Sequence, residues 1–379
     1  MHSPALNGVR VVADSKFKLV LYRAIMKFLI TGGAGFIGSA LIRHIIDSTP
    51  HEVLNLDALK YSGNLDSLNE ISTSNRYQFI KEDICNFQNL LKIIESYEPD
   101  GVIHLAAESH VDRSIEDAAP FIQTNILGTY NLLHSCHTYW MQLKEQTKKN
   151  FIFHHVSTDE VYGDLGLHEP PCNETHLYDP SSPYSASKAS SDHLVKSWHR
   201  TYDFPIVITN CSNNYGPYHF PEKLIPHIIL NAIHYKNIPI YGDGSQIRDW
   251  IFVDDHVKGI LKVFLNGSIG ETYNIGGSNE IKNIDVAKTI CSILDEHLEI
   301  DSSKITNFSD LITFVEDRPG HDQRYAIDSS KINENLDWNP EESFQSGLKK
   351  TVLWYLENKA WWEKILKNKY DLNRIGNKE

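Results

Sequence analysis

The sequence predicts an α/β fold, with a doubly wound parallel sheet followed by a smaller C-terminal α/β region. Short apolar runs alternate with helix-length amphipathic segments from Met26 onward, which is typical of parallel strands joined by crossover helices. A glycine-rich turn separates the first strand from the first helix. After about residue 210, frequent prolines and glycines break the chain into shorter elements. The 379 residues suffice for one large domain or two.

The first part of the chain contains six predicted strands. KFLIT (27–31) is predicted as a buried strand, and residues 39–47 as the helix after it, with Leu41, Ile42, Ile45 and Ile46 on one face. The next strands are predicted at 51–57, 77–84, 100–107, 151–158 and 204–210. They end in polar or small residues, as expected where ligands bind at the carboxyl edge of such a sheet.

The second part is predicted to contain a strand and helix at 248–265, a strand with a turn at 271–277, a helix at 283–298 and a C-terminal helix at 344–366. That last helix places Leu348, Val352, Tyr355 and Leu356 on one face, and its Trp354, Trp361 and Trp362 are interpreted as packing residues. We therefore expect a first domain at 26–210 plus about 248–275, and a second, smaller domain at about 211–247 and 276–366. Residues 1–25 are expected to be disordered or a start-site artefact.

Composition excludes several classes of function. The 36 Lys and Arg against 49 Asp and Glu give a formal charge of −13, which argues against a broad nucleic-acid or anionic-membrane surface. The five cysteines are widely spaced without a CxxC pair, which favours reduced thiols and a cytoplasmic protein. No apolar stretch is long enough to anchor the chain in a membrane. Any phosphate group must therefore be held by a dedicated pocket.

The turn TGGAGFIG places Gly32, Gly35 and Gly38 between the first strand and the first helix. Glycines at this spacing let the backbone approach a pyrophosphate, which the amides at the helix N-terminus then stabilise. The alternative is a tight turn with no ligand. The context of strand and helix favours a Rossmann-type dinucleotide site.

Acidic residues at the ends of the next strands suit the adenosine half of such a cofactor. Asp57 follows Gly38 by nineteen positions, where a carboxylate binds ribose hydroxyls and repels a 2′-phosphate, so NAD is favoured over NADP. Asp83 suits the adenine edge or, equally, a solvated turn. The predicted cofactor contacts also include Phe36, Ile37, Ala58, Leu59, Lys60, Ile84, Leu105, Ala106, Ala107, Ser109, Thr124 and Asn214.

Tyr184 and Lys188 form a YxxxK pair, but Tyr77/Lys81 and Tyr355/Lys359 match the same pattern. Context selects the first pair, because Ser182 and Pro183 predict a helix start that puts both side chains on one helix face. Tyr77 is predicted on a strand, and Tyr355 on a surface-type helix. A lysine beside the phenol favours phenolate, so Tyr184 can act as a general base, while Lys188 also holds the nicotinamide ribose.

Thr158, Asp159 and Glu160 follow the strand at 151–158. Adjacent carboxylates at a strand end would by themselves more often cap a turn. Beside a dinucleotide and a Tyr/Lys pair, they supply an acid and a base that simple alcohol oxidation does not need. Their adjacency favours one proton shared between them, since ionising both is unfavourable.

At this point the chain resembles the extended short-chain dehydrogenase/reductase superfamily and, within it, the dTDP-glucose 4,6-dehydratase family. The resemblance runs from about Met26 to about residue 360. Its blocks include TGGAGFIGS, LAAESHVDRSI, STDEVYG, PYSASKASSDHLV, CSNNYGPYHFPEKLIP, PIYGDGSQIRDWIFVDDH and DRPGHDQRYAID. The Asp-Glu pair after Thr158 is the discriminating piece, because related epimerases carry small or hydroxyl residues there.

The resemblance implies a reaction in which NAD is first oxidant and then reductant. Tyr184, assisted by Thr158, would take the proton of the glucose 4-hydroxyl as hydride leaves C4. Glu160 would then remove the C5 proton while protonated Asp159 donates to the departing 6-hydroxyl. Hydride return to C6 gives dTDP-4-dehydro-6-deoxy-glucose, a step of deoxysugar biosynthesis such as that of rhamnose. A homodimer through helices of the cofactor domain is also implied.

The resemblance further assigns the thymidine diphosphate to the second region. Arg248 and Arg318 suit a diphosphate as guanidinium clamps, although a surface or loop-capping role is the alternative for any one of these residues. The full predicted substrate set is Ser109, Thr158, Asn213, Lys223, Leu224, Pro239, Ile240, Tyr241, Arg248, Asn283, Asp317, Arg318, Pro319, Gly320 and His321. No metal is predicted, because His154 and His155 alternate faces of a strand. The open alternatives are another nucleotide-sugar dehydratase or epimerase, and a silent dinucleotide-binding scaffold.

Overall fold

The structure is a computed structural model that describes residues 25–370 and Leu372. The predicted N-terminal extension, residues 1–25, lies outside the described residues except for Ile25. The strands are β1 (Lys27–Thr31), β2 (Glu52–Asp57), β3 (Tyr77–Lys81), β4 (Gly101–His104), β5 (Ile152–Thr158), β6 (Ile206–Cys211), β7 (Asn213–Tyr215), β8 (Ile238–Tyr241), β9 (Ile247–Phe252), β10 (Thr272–Ile275), β11 (Glu280–Lys282) and β12 (Ile312–Val315).

The helices lie mostly between these strands. They are α1 (Phe36–Ser48), α2 (Phe87–Tyr97), α3 (Val111–Glu116), α4 (Ala119–Phe121), α5 (Thr129–Gln142), α6 (Glu145–Lys148), α7 (Pro183–Tyr202), α8 (Leu224–Ile233), α9 (Val253–Asn266), α10 (Asn283–His297), α11 (Ser330–Leu336), α12 (Phe344–Glu357) and α13 (Lys359–Asn368). A π-helical turn, Ile122–Gly128, joins α4 to α5, and 3-10 turns occupy Leu65–Ile71, Asp159–Tyr162 and Phe308–Leu311.

Seven strands form the central sheet, in the order β10-β6-β5-β4-β1-β2-β3, with every pair parallel. Helices α1 and α9 pack on one face, and α2, α5 and α7 on the other. The predicted doubly wound parallel sheet is therefore confirmed. The strand order reverses between β1 and β4, which leaves a crevice at their carboxyl ends where such folds bind ligands.

A second, smaller region contains a three-stranded sheet, β11-β9-β7, and a two-stranded sheet, β12-β8. Its apolar core is built mainly from α8, α10, α12 and α13. Tyr215, Trp250 and Phe344 are buried where the strands meet these helices. This region covers one side of the crevice in the central sheet.

Three expectations differ from the structure. Strand β9, in the stretch expected to join the cofactor domain, pairs with β7 and β11, because an apolar run predicts a strand but not its partner. The C-terminal helix is two helices that meet at Asn358. Tyr355 is fully buried rather than on a surface-type helix, and its hydroxyl donates to the His219 carbonyl.

Two further expectations concern the state of the cysteines and the presence of a membrane-spanning segment. All five cysteines are free, and four of them are buried. Among the residues that the structure describes, no helix combines the length and the apolar character needed to cross a membrane.

Candidate active site and cofactor cavity

A cavity of about 340 Å³ lies at the carboxyl ends of β1 and β4, where the strand order reverses. A second cavity of about 210 Å³ lies in the smaller region. The two cavities share wall residues, namely Ser109, Glu160, Asn213, Glu222, Lys223, Leu224 and Trp250. A ligand can therefore reach from one cavity into the other, with Glu160 at the junction.

The glycine turn forms the floor of the first cavity. Gly32 has φ +73°, and a Cβ there would lie 2.6 Å from the backbone nitrogen of Ala106. A Cβ on Gly38 would lie 2.2 Å from the carbonyl oxygen of Gly32. Gly35 is the N-cap of α1 and has no side chain to cap the first-turn amides. These amides face a cavity that a dinucleotide pyrophosphate fits.

Asp57 lies at the adenosine end of this cavity. Its Oδ2 accepts from the Ala34 amide at 2.9 Å and its Oδ1 from the Leu59 amide at 2.7 Å. Burial raises the pKa of Asp57, although these two hydrogen bonds oppose the rise. Each carboxylate oxygen keeps a further acceptor site for a ribose hydroxyl.

Asp83 combines a turn contact with a place in the wall of the first cavity. Its Oδ1 accepts from the Cys85 amide at 2.9 Å, as a turn residue would, and its side chain also lines the cavity. Lys60 Nζ lies 3.6 Å from Asp83 Oδ2 and 3.4 Å from Glu108 Oε1, and it donates to Thr124 Oγ1 at 2.8 Å. These groups form a polar wall suited to an adenine edge.

Helix α7 delivers the Tyr184/Lys188 pair. Ser182 and Ser185 form a capping box, and Pro183 occupies the first turn, as the sequence predicts. Both Tyr184 and Lys188 are buried and line the first cavity, and Lys188 Nζ donates to the Val156 carbonyl at 2.9 Å. The expected lowering of the Tyr184 pKa is not what the structure gives, since burial and then the charge of Glu160 raise it.

The other two YxxxK pairs lie elsewhere. The Tyr77 hydroxyl accepts from Asn55 Nδ2 at 3.0 Å on β3, and Tyr355 packs in the core of the smaller region. Neither tyrosine lines either cavity. The Tyr184/Lys188 pair on α7 differs from the other two pairs because both of its side chains line the cavity at the carboxyl edge of the central sheet.

Thr158, Asp159 and Glu160 lie where β5 ends and a 3-10 turn begins. Thr158 caps that turn, its Oγ1 accepting from the Glu160 amide at 3.3 Å, and all three residues line the first cavity. Burial, followed by the charge of Glu160, raises the pKa of Asp159 well above its ordinary value. Burial also raises the pKa of Glu160, but Arg318, Arg248 and Lys223 oppose it. Ionisation of Asp159 is therefore opposed more strongly than ionisation of Glu160.

Three cations line the second cavity. Lys223 Nζ donates to the Ser109 carbonyl at 2.7 Å. The Arg248 guanidinium stacks on the Tyr325 ring, 4.2 Å from its centroid, and donates to the Asp322 carbonyl at 2.9 Å. Arg318 Nη1 lies 3.0 Å from Asp112 Oδ1, while its buried Nε has no hydrogen-bond partner among residues 25–370 and Leu372. An unpaired buried donor in a cavity wall is a site for an anionic ligand.

Most of the predicted site residues line one or both cavities. The exceptions are Leu59, Ile240, Asp317, Pro319 and Gly320, which form no part of either wall. Leu59 has φ +53° and shapes the loop through its hydrogen bond to Asp57, whereas Ile240 points into the core between Pro239 and Tyr241. Asp317 Oδ1 accepts from His321 Nδ1 at 2.6 Å, and Pro319 and Gly320 are exposed.

Several cavity residues were not predicted. Asp112 pairs with Arg318 and accepts from the Tyr241 hydroxyl at 2.7 Å, and Glu222 pairs with Arg113 at 2.9 Å. Trp361, interpreted as packing, lines the first cavity and donates from Nε1 to Ser67 Oγ. Asp112 and Glu222 lie within quoted family blocks, whereas only the fold brings Trp361 to the cavity.

Among the described residues, no group of His, Cys, Asp and Glu side chains is arranged to hold a metal ion. His154 and His155 are both fully buried. His154 Nε2 lies 3.0 Å from Thr209 Oγ1, and His155 Nε2 lies 3.2 Å from Asp192 Oδ1.

Comparison with known proteins places the chain in a family. The family model described as GDP-mannose 4,6 dehydratase matches residues 29–351. The chain is 58% identical over 350 residues to a dTDP-glucose 4,6-dehydratase of Neisseria meningitidis, covering 92% of this chain and 99% of that protein.

Solved structures agree with this relationship. A dTDP-glucose 4,6-dehydratase of Bacillus anthracis in complex with NAD matches with a TM-score of 0.79 and 40% identity, covering 90% of this chain and 99% of the other. The Streptomyces venezuelae enzyme of the same name, with NAD and TYD bound, matches with a TM-score of 0.80 and 40% identity over 90% and 100% of the two chains. The chain belongs to the dTDP-glucose 4,6-dehydratase family.

Proposed function

We propose that the protein is an NAD-dependent dTDP-glucose 4,6-dehydratase, a hydro-lyase that converts dTDP-glucose to dTDP-4-dehydro-6-deoxy-glucose and water. The observation that carries the proposal is the adjacent Asp159–Glu160 pair beside Tyr184 at the junction of two cavities, where burial raises the pKa of both carboxyl groups. The identity to relatives of that name supports the substrate.

The residues of the first cavity fit NAD. The side-chain-free turn at Gly32, Gly35 and Gly38 suits the pyrophosphate, Asp57 suits the adenosine ribose, and Lys188 suits the nicotinamide ribose. When bound, NAD supplies a reversible hydride acceptor, so that C4 is oxidised, C6 is later reduced, and no net redox change remains.

The side chains of this chain move the protons. Tyr184 takes the proton of the 4-hydroxyl, with Thr158 beside it, and a positive charge on Lys188 opposes the rise in the Tyr184 pKa that burial and Glu160 cause. The 4-keto group acidifies C5–H, which ionised Glu160 removes. Asp159 donates its proton to the 6-hydroxyl, which leaves as water, and protonated Glu160 returns its proton to C5.

The alternatives predict different substrates or none. Another nucleotide-sugar dehydratase or an epimerase on the same fold would turn over a UDP, CDP or GDP sugar, and a silent scaffold would bind NAD without turnover. When the protein is incubated with dTDP-glucose, we expect the 4-keto product to form. Turnover of another nucleotide sugar in place of dTDP-glucose would overturn the assignment.

The pH dependence of kcat tests the two carboxyl groups. Burial raises the pKa of both, so Glu160 becomes ionised, and therefore active as a base, only above the ordinary range of a glutamic acid. We expect activity to fall as the pH drops through this raised value, and the proton on Asp159 to be lost only at higher pH. A kcat profile measured from acid to alkaline pH checks this. An acid limb in the ordinary carboxyl range would contradict it.

Arg318 is expected to bind the substrate diphosphate through its unpaired Nε. Arg318→Gln should raise the KM for dTDP-glucose by about 10-fold or more, the worth of a charge-assisted hydrogen bond. The acid limb of kcat should also move to higher pH, because Arg318 opposes the raised pKa of Glu160. Arg324→Gln is the matched control, since Arg324 pairs with Glu280 outside both cavities. An unchanged KM for Arg318→Gln would exclude this role.

Three further expectations belong to the proposal. The chain divides into a cofactor domain and a nucleotide-sugar-binding domain, and the product enters deoxysugar synthesis in the cytoplasm.

The chain forms a homodimer through helices of the cofactor domain. Exposed Ile122, Leu127 and Tyr130 around the start of α5 support this contact. Sedimentation of the wild type beside an Ile122→Glu, Leu127→Glu variant tests it, and an unchanged mass would argue against this face.

A further inference from the structure

A buried carboxylate lies behind the predicted catalytic pair, on the same helix. Tyr184, Lys188 and Asp192 follow one another at intervals of four along α7, so they share one helix face. Asp192 is fully buried and lines neither of the two cavities. The proposed mechanism assigns no role to Asp192.

Hydroxyl donors bind one oxygen of Asp192, whereas its buried Oδ1 approaches His155 without forming a hydrogen bond to any described residue. Its Oδ2 accepts from Ser157 Oγ and from the Tyr178 hydroxyl, each at 2.9 Å, and its Oδ1 lies 3.2 Å from His155 Nε2. Burial raises the pKa of Asp192, but His155, Lys188 and Ser157 together outweigh burial and lower it. A buried carboxylate is stable as an anion only with such compensation, so Asp192 is ionised.

Lys188 has no carboxylate partner within salt-bridge distance among the described residues, because its Nζ donates to the Val156 carbonyl. Burial lowers the pKa of Lys188, and the groups that oppose this are Asp192 and then Cys211. Burial raises the pKa of Cys211, so that side chain remains a neutral thiol. Asp192 therefore provides the negative charge that keeps a buried ammonium group protonated.

We propose that Asp192 is a positioning residue that maintains Lys188 as an ammonium group one helical turn from Tyr184. The inference rests on the proposed function, because the charge of Lys188 matters where Tyr184 takes a proton from the substrate. Asp192 acts through Lys188 and touches neither substrate nor cofactor. Ser157, which holds Asp192, immediately precedes Thr158 on β5, so the same contacts also fix the strand end that carries Thr158.

The other titratable groups around the pair do not replace this charge. They are His104 and His155 from the central sheet, Cys211 from β6, Tyr162 and Tyr178 from the segment between β5 and α7, and Lys196 from α7. Asp159 and Glu160 also lie nearby, but they act on Tyr184, whereas the groups that raise the pKa of Lys188 are Asp192 and Cys211. Burial lowers the pKa of both histidines, to about 4 for His155, so both are neutral near pH 7. Burial raises the pKa of both tyrosines, and Lys196 is cationic or neutral.

Asp192→Asn tests the proposal because it removes the charge while an amide oxygen can still accept from Ser157 and Tyr178. C4 oxidation is measured alone by using dTDP-6-deoxy-glucose, which has no 6-hydroxyl to lose. The reaction is monitored through the reduction of bound NAD. Loss of the anion lowers the pKa of Lys188 further. In Asp192→Asn, the pH above which C4 oxidation slows should fall by about one unit or more. Above that pH, we expect the variant to be about 10-fold slower than the wild type.

Asp255→Asn is the matched control. Asp255 is also buried, its Oδ2 accepts from the Glu341 and Glu342 amides, and it lines neither cavity. That variant is expected to lose thermal stability and keep the wild-type pH profile. An Asp192→Asn variant with the wild-type profile would overturn the proposal, as would an equal shift of the pH profile in Asp255→Asn.

A direct titration separates this inference from the proposed function. Lysines labelled with 13C at Cε report their own ionisation by NMR, and the Lys188 signal is identified by its absence in Lys188→Arg. The midpoint should fall in Asp192→Asn, and an unchanged midpoint would refute the proposal. If Asp192→Asn does not fold, Ser157→Ala and Tyr178→Phe should move the midpoint in the same direction by less. A wild type inactive on dTDP-glucose would refute the proposed function, while this titration still decides the role of Asp192.

Discussion

Glu160→Gln is expected to reduce formation of dTDP-4-dehydro-6-deoxy-glucose by about 10³-fold, the usual contribution of a general base. The reason is that glutamine cannot take the C5 proton, although it fills the same space where the two cavities meet. Oxidation at C4 does not need this carboxylate. The variant should therefore reduce its bound NAD on mixing with substrate and then stall, which is measured by nicotinamide absorbance beside product formation.

Two further variants test the role of Glu160. Asp159→Asn should give the same stall, because elimination then lacks its acid. Glu169→Gln makes the same change at an exposed position outside both cavities and should keep wild-type activity. Full turnover by Glu160→Gln, or a failure to reduce NAD at all, would remove Glu160 from the elimination step.

Tyr184→Phe is expected to abolish the reaction one step earlier. Without the phenolic oxygen nothing removes the proton of the 4-hydroxyl, so reduction of bound NAD should slow by about 10³-fold and no stalled reduced state should accumulate. Tyr184 and Glu160 then differ in the step that fails, although both variants make no product. Rapid-mixing absorbance measurements distinguish the two outcomes.

Tyr77→Phe is the control for Tyr184, since Tyr77 belongs to a second YxxxK pair and lies on β3 away from the cavities. It loses one hydrogen bond with Asn55 and should keep the rate of C4 oxidation. Rapid oxidation by Tyr184→Phe would show that another group takes the proton, and the assignment would be wrong.

The central sheet could be predicted because most of its parallel strands are buried on both faces and read as short apolar runs, although the edge strand β3 is only partly buried. Its ligand edge could be predicted because Asp57, Thr158 and the glycine turn follow those runs directly. Strand pairing in the smaller region could not be predicted, since β7 and β11 have three residues each and carry little pattern.

The polar contacts within the site depend on distant parts of the chain. Asp112 and Arg318 are 206 positions apart, and Trp361 reaches Ser67 across 294 positions. No local spacing predicts such pairs. The pKa of Tyr184 was misjudged for the same reason, because burial and Glu160 act on the phenol through the folded structure and outweigh its helix neighbour.

In the proposed reaction, hydride leaves C4 and returns to C6 within one active site. The most direct test uses dTDP-glucose carrying deuterium at C4, mixed with unlabelled substrate, with the product examined by mass spectrometry and NMR. We predict that deuterium appears at C6 of the same product molecules that carried it at C4, with no exchange between molecules. Loss of the deuterium to solvent, or its transfer to unlabelled molecules, would contradict the account.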